Sequence, residues 1–118
     1  MITIAVADVN QTYCQGLKTM LEQVEGFGVV ILPAGDFFPG VLDNLPIDIL
    51  LVDEDMLEAS KTASGNRVVD WPPEKTIVMT MDCHRMAAPA MGAQSICKGA
   101  GKQEFAEKIM KMTMVEQI

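Results

Sequence analysis

The sequence predicts an α/β fold built on a parallel sheet, and three observations lead there. Five short strand-like runs, at residues 2–7, 27–32, 49–52, 76–81 and 94–97, are separated by stretches long enough for crossover connections. Between the first two runs, apolar residues recur at spacings of three and four, the period of a helix with one buried face. Four of the runs stop at or beside a polar group, Asp8, Asp53, Thr80 or Lys98, which would gather those side chains at the carboxyl edge of the sheet. That edge is where open α/β sheets bind ligands.

In chain order, Ile2 to Ala7 is aliphatic, rich in β-branched residues, and ends at Asp8. From about Thr12, Tyr13, Leu17, Met20, Leu21 and Val24 line one helical face, and Gly26 suits a turn past a helix end. Phe27 to Leu32 makes a second strand bounded by Pro33 and Gly35. Asp36 is a suitable N-cap for a short helix with Phe37, Phe38, Val41, Leu42 and Leu45 inward, Pro39 being tolerated in its first turn. Ile49 to Val52 does not alternate, as expected of a strand covered on both faces, and runs into Asp53, Glu54 and Asp55.

Residues 57–74 read as a short helix and a loop closed by Trp71-Pro72-Pro73. Thr76 to Met81 is a fourth buried strand, ending near Thr80. Asp82 can cap a helix through Arg85 and Met86 that Pro89 either limits to about two turns or kinks. Gln94 to Cys97 is a short fifth strand with Lys98 at its end, and a last helix turns Phe105, Ile109, Met112 and Met110 inward. Five βα units without repeat or linker make one domain spanning 1–118.

Composition narrows the function. The chain of 118 residues is long enough for one core, and with 49% hydrophobic and 21% charged residues it should fold. Nine Lys and Arg against 16 Asp and Glu leave a net charge of −7, so direct nucleic-acid binding through this chain is disfavoured. No apolar stretch approaches the roughly 18 residues of a membrane span. Met1 leads straight into a strand without a charged leader, so a cytoplasmic protein with no membrane contact is expected. Cys14, Cys83 and Cys97 form no CxxC pair and read as reduced thiols. The ten methionines read mainly as core filler.

Asp8, Asp53, Thr80 and Lys98 share a chemistry. A carboxylate can act as a nucleophile toward a phosphoryl group and form an aspartyl phosphate. That reaction needs cations to offset charge on the phosphoryl oxygens and a hydroxyl to donate to one of them. Asp53 supplies the nucleophile, Lys98 a cation and Thr80 the hydroxyl. Asp8, Asp53 and the backbone carbonyl of Asp55 supply the oxygen ligands that Mg²⁺ prefers.

In this order and spacing the chain resembles the CheY-like receiver domains of two-component response regulators. The stretch from Val6-Ala7-Asp8-Val9 to Gly16-Leu17 is similar to the first strand and acidic turn of the NarL/FixJ group. Gly26-Phe27-Gly28-Val29-Val30 is similar to their second strand. Ile47 through Met56 looks like the phosphoacceptor strand, and Ile77-Val78-Met79-Thr80 and Gly92-Ala93 to Lys98 look like the remaining signatures. The resemblance implies a flavodoxin-like (βα)5 fold, a doubly wound five-stranded parallel sheet of order 2-1-3-4-5. It implies phosphorylation of Asp53 by a histidine kinase or phosphotransfer protein, and a downstream protein partner, with a homodimer as one form of output. No enzyme activity is expected beyond self-phosphorylation and autodephosphorylation at Asp53.

The departures define an atypical receiver. Val9 stands where a second acid usually contacts the metal, so Mg²⁺ affinity should be weakened. Leu57 and Gly99 replace customary prolines, Met81 follows Thr80 where a small residue is common, and Ser95 and Ile96 stand near the place of a switch aromatic. Two functions follow: a phosphoacceptor receiver, or a pseudo-receiver that binds a protein partner without phosphorylation. An enzyme of another kind is disfavoured, since the chain has neither a glycine-rich phosphate loop nor a nucleophile elbow. No DNA-binding module follows the last helix, so either a stand-alone receiver or one separated from its output domain is expected.

Overall fold

The computed structural model describes residues 1–32, 46–55, 75–81 and 94–114. Its five strands are β1 (Ile2–Ala7), β2 (Phe27–Ile31), β3 (Ile49–Asp53), β4 (Thr76–Thr80) and β5 (Gln94–Cys97), and they form one sheet in the order β2-β1-β3-β4-β5. Every pairing is parallel. This is the flavodoxin-like order that the resemblance implied. The helices expected after Asp36, within 57–74 and after Asp82 lie outside the described residues, as does Trp71.

Burial explains why the runs become strands. β3 lies at the centre, between β1 and β4, and all five of its residues are buried, whereas the edge strands β2 and β5 alternate or are partly exposed. Ile4, Val6, Ile49, Leu51, Ile77, Met79 and Ile96 share one face and pack with Cys14, Leu17 and Leu21 of α1 (Gln11–Leu21) and with Phe105, Ala106 and Ile109 of α2 (Lys102–Met114). Ala5, Ala7, Leu50, Val52 and Val78 alternate to the other face and are equally buried. Each fully buried leucine or isoleucine in this layer contributes about 2 kcal/mol by removal from water.

α1 starts where Asn10 caps it, its side chain accepting from the Tyr13 amide at 3.0 Å. It ends at Leu21, earlier than the apolar spacing through Val24 suggests. The Gln23 and Val24 amides donate to the Met20 and Leu21 carbonyls, a tightening into i→i+3 bonds that closes the last turn. Gly26, at φ +90°, then reverses the chain in a conformation open mainly to glycine, and its carbonyl accepts from the Ile2 amide at 2.7 Å. Glu22 fastens the helix to β2, pairing with Lys18 Nζ at 2.8 Å and accepting from the Val29 amide at 3.3 Å. The Lys18 hydrogen bond, and then the Val29 amide, lower the Glu22 carboxyl from its ordinary value.

One helix expectation needs correction. In α2, Phe105, Ile109 and Met112 face the core, but Met110 is 39% exposed and Ala106 takes the inward place. At about 100° of rotation per residue, Phe105, Ile109 and Met112 cluster within about 60° of one another, Ala106 lies at the margin of that face, and Met110 is turned about 40° farther round than Ala106. Of the described methionines, Met79 fills the core, Met20 and Met112 pack against it, and Met1, Met81 and Met110 are exposed.

Candidate functional site

Register places the carboxylates together. β1 and β3 are neighbours, with Ala7 opposite Val52, so the residues that follow, Asp8 and Asp53, come side by side at the carboxyl edge. Both are buried, at 1% and 7% exposure. Two like charges at one strand spacing, nearly out of water, require a counter-charge.

Lys98 supplies it. Cys97 closes β5 opposite Thr80, and the Lys98 amide donates to the Thr80 carbonyl at 2.9 Å. The lysine side chain then crosses the end of β4 to place Nζ 2.6 Å from Asp53 Oδ1 and 2.7 Å from Asp8 Oδ2. Burial alone lowers an ammonium pKa, but the bonds to Asp53 and then Asp8 outweigh it, so Lys98 is held above its ordinary value.

The two carboxylates are held differently. Asp8 Oδ1 accepts from the Asn10 amide at 2.9 Å, which turns the chain into α1. Its buried Oδ2 has the ammonium at ion-pair distance but receives no well-directed hydrogen bond. Thr80 is buried at the end of β4, and Asp55 is exposed two residues beyond β3. Asp8, Asp53 and Lys98 are thus joined directly, with Thr80 beside them through its backbone.

The donor set suits a hard divalent cation in kind, with two buried carboxylates at one edge. It is short in number. Val9, where a third acid would stand, is 66% exposed, and among the described residues no group of three acid, histidine or cysteine side chains converges. No helix of the described residues is long and apolar enough to cross a membrane.

Two features escaped the sequence. Tyr13, expected only on the buried face of α1, reaches the site: its hydroxyl donates to the Lys98 carbonyl at 3.1 Å, and Lys98 Nζ lies 5.3 Å from its ring centroid. Their 85-residue separation leaves no local signal. Cys97 is disulfide-bonded, contrary to the reduced thiols expected, while Cys14 is free and buried, 3.5 Å from the Asp8 carbonyl. Burial, then Asp8, pushes the Cys14 thiol up.

Burial pushes the Tyr13 hydroxyl up to about 12, against the pull of Lys98 and with a push from Asp8. Tyr13 is the chain's one tyrosine, so tyrosinate absorbance reports it alone. Titration of the folded protein should give a midpoint near 12 that returns to about 10.0 in denaturant; a native midpoint at 10.0 contradicts the geometry.

The fold is that of response regulator receiver domains. A receiver protein from Burkholderia phymatum superposes with a TM-score of 0.67 at 22% identity, over 96% of this chain and 95% of that one. A receiver domain protein from Clostridium thermocellum gives 0.66 at 19% identity, covering 99% and 98%. A LuxR family DNA-binding response regulator from Silicibacter pomeroyi gives 0.68 at 16% identity, covering 97% and 93%. No family model matches the chain, and no curated protein matches it in sequence.

Proposed function

We propose that the chain is a phosphoacceptor receiver of a two-component system, with Asp53 taking the phosphoryl group. The observation that supports it best is the single ammonium of Lys98 shared by two buried carboxylates at the carboxyl edge of a receiver-type sheet. An Asp53 oxygen attacks phosphorus while the bond from phosphorus to the donor's leaving atom breaks, that atom keeping the electron pair. Lys98 is already on Asp53 and offsets charge on the phosphoryl oxygens, and Thr80 offers them its hydroxyl. Mg²⁺, held by Asp8, Asp53 and the Asp55 carbonyl, would supply further charge neutralisation. The donor is a histidine kinase or phosphotransfer protein, and the output is a changed affinity for a protein partner in the cytoplasm, a second copy of the chain included.

Incubation with acetyl phosphate and Mg²⁺ should give a single phosphoryl adduct by intact mass, and Asp53→Asn should abolish it. An adduct that survives the substitution, or none in the parent protein, sinks the proposal. One observation favours a pseudo-receiver instead: Val9 leaves the edge one acid short, and the ammonium of Lys98 already lies on both carboxylates. Partner capture unaffected by Asp53→Asn and by Mg²⁺ removal would select that reading.

A further inference from the structure

Tyr13 belongs to none of the roles above, yet it touches the cation on which the site depends. It stands in the first turn of α1, three residues past the Asn10 cap, so the turn that Asp8 and Asn10 set also sets its ring. The hydroxyl grips the backbone of Lys98 at 3.1 Å, and the ring face lies 5.3 Å from the same residue's ammonium.

We propose that Tyr13 is a positioning residue for Lys98, fixing the lysine at both ends so that its ammonium stays on Asp8 and Asp53. The backbone bond settles where the side chain departs from the end of β5. The ring offers the ammonium a negative π-face, an attraction that strengthens where water is scarce. The side chain of Lys98 is only 12% exposed. A lysine has many rotamers to lose in reaching across a strand, and a contact at each end offsets that loss without adding a third acid. Because Tyr13 acts through Lys98, the proposal concerns the same site, but it stands on ground-state geometry and does not require phosphoryl transfer to occur.

The two grips separate by substitution. Tyr13→Phe keeps the ring and removes the hydroxyl; Tyr13→Leu removes both. Lysine-ammonium NMR of the full chain at mildly acid pH reads Lys98 directly, with Lys108 as an internal control because its Nζ donates to the Ser95 carbonyl at 2.6 Å. Tyr13→Phe should shift the Gly99 amide nitrogen, which follows the Lys98 carbonyl, and leave the Lys98 ammonium resonance in place. Tyr13→Leu should broaden or remove the Lys98 resonance while that of Lys108 persists. A Lys98 resonance unchanged in Tyr13→Leu overturns the proposal. If Tyr13→Leu does not fold, as loss of the Lys108 signal would report, Tyr13→Phe decides: an unmoved Gly99 amide, or loss of the Lys98 resonance despite the retained ring, overturns it. Failure of the acetyl phosphate reaction would leave these signals untouched, so the two proposals fail separately.

Discussion

Lys98→Met should lower the stability of this protein at neutral pH by about 3 kcal/mol or more, since it strands two buried carboxylates without their shared cation. Methionine keeps most of the lysine's volume, so the loss reports charge and not a cavity. A domain of this size has roughly 5–15 kcal/mol in all, so the effect is large. Adding Asp53→Asn to Lys98→Met should recover part of the loss, because one of the two negative charges is then gone. Denaturant midpoints for the parent, both single variants and the double variant check this; additive losses would mean that the ammonium and Asp53 do not interact.

The pH dependence has a definite sign. The folded-state pKa of Lys98 is raised above the ordinary 10.5, so its contribution is fully present below that value and is lost as pH rises through the folded value. The gap between parent and Lys98→Met should therefore stay constant across neutral pH and close only on the alkaline side of 10.5.

Val9→Asp should strengthen Mg²⁺ binding at least about tenfold, since ligand charge count is a main determinant of divalent affinity in oxygen sites. Val9 is two-thirds exposed, so the substitution removes little buried apolar surface and should leave the fold intact. It also adds a third acid directly after Asp8 in the chain, at the carboxyl edge of β1. A Mg²⁺ titration followed by amide shifts of Asp8, Asp53 and their neighbours measures both proteins. Equal affinities would mean that the edge is short of something other than a carboxylate.

Much of the sheet was legible because a central parallel strand has a simple chemical demand. Ile49 to Val52 must be apolar on both faces, and the first polar residue after it marks the edge of the sheet. β1 and β4 were equally readable, because their apolar residues turn alternately to two buried faces. The end of α1 was not, since the apolar spacing continues through Val24 while the backbone has already tightened after Leu21. Met110 was misplaced because hydrophobicity alone does not tell which of two adjacent residues faces inward. At the site, Asp8, Asp53, Thr80 and Lys98 were recognisable as a set, and the shared ammonium follows from strand order. Tyr13 was not recognisable, because its contact with Lys98 exists only after the first and last strand edges have been brought together.

The central claim is that Asp53, and no other acid at this edge, accepts the phosphoryl group. Borohydride reduction after acetyl phosphate treatment tests it most directly, since an aspartyl phosphate is reduced to homoserine and tandem mass spectrometry then locates the altered residue. Homoserine at position 53, dependent on Mg²⁺ and absent from Asp53→Asn, is the expected result. Homoserine at position 8 or 55, or an adduct that borohydride does not convert, would contradict it.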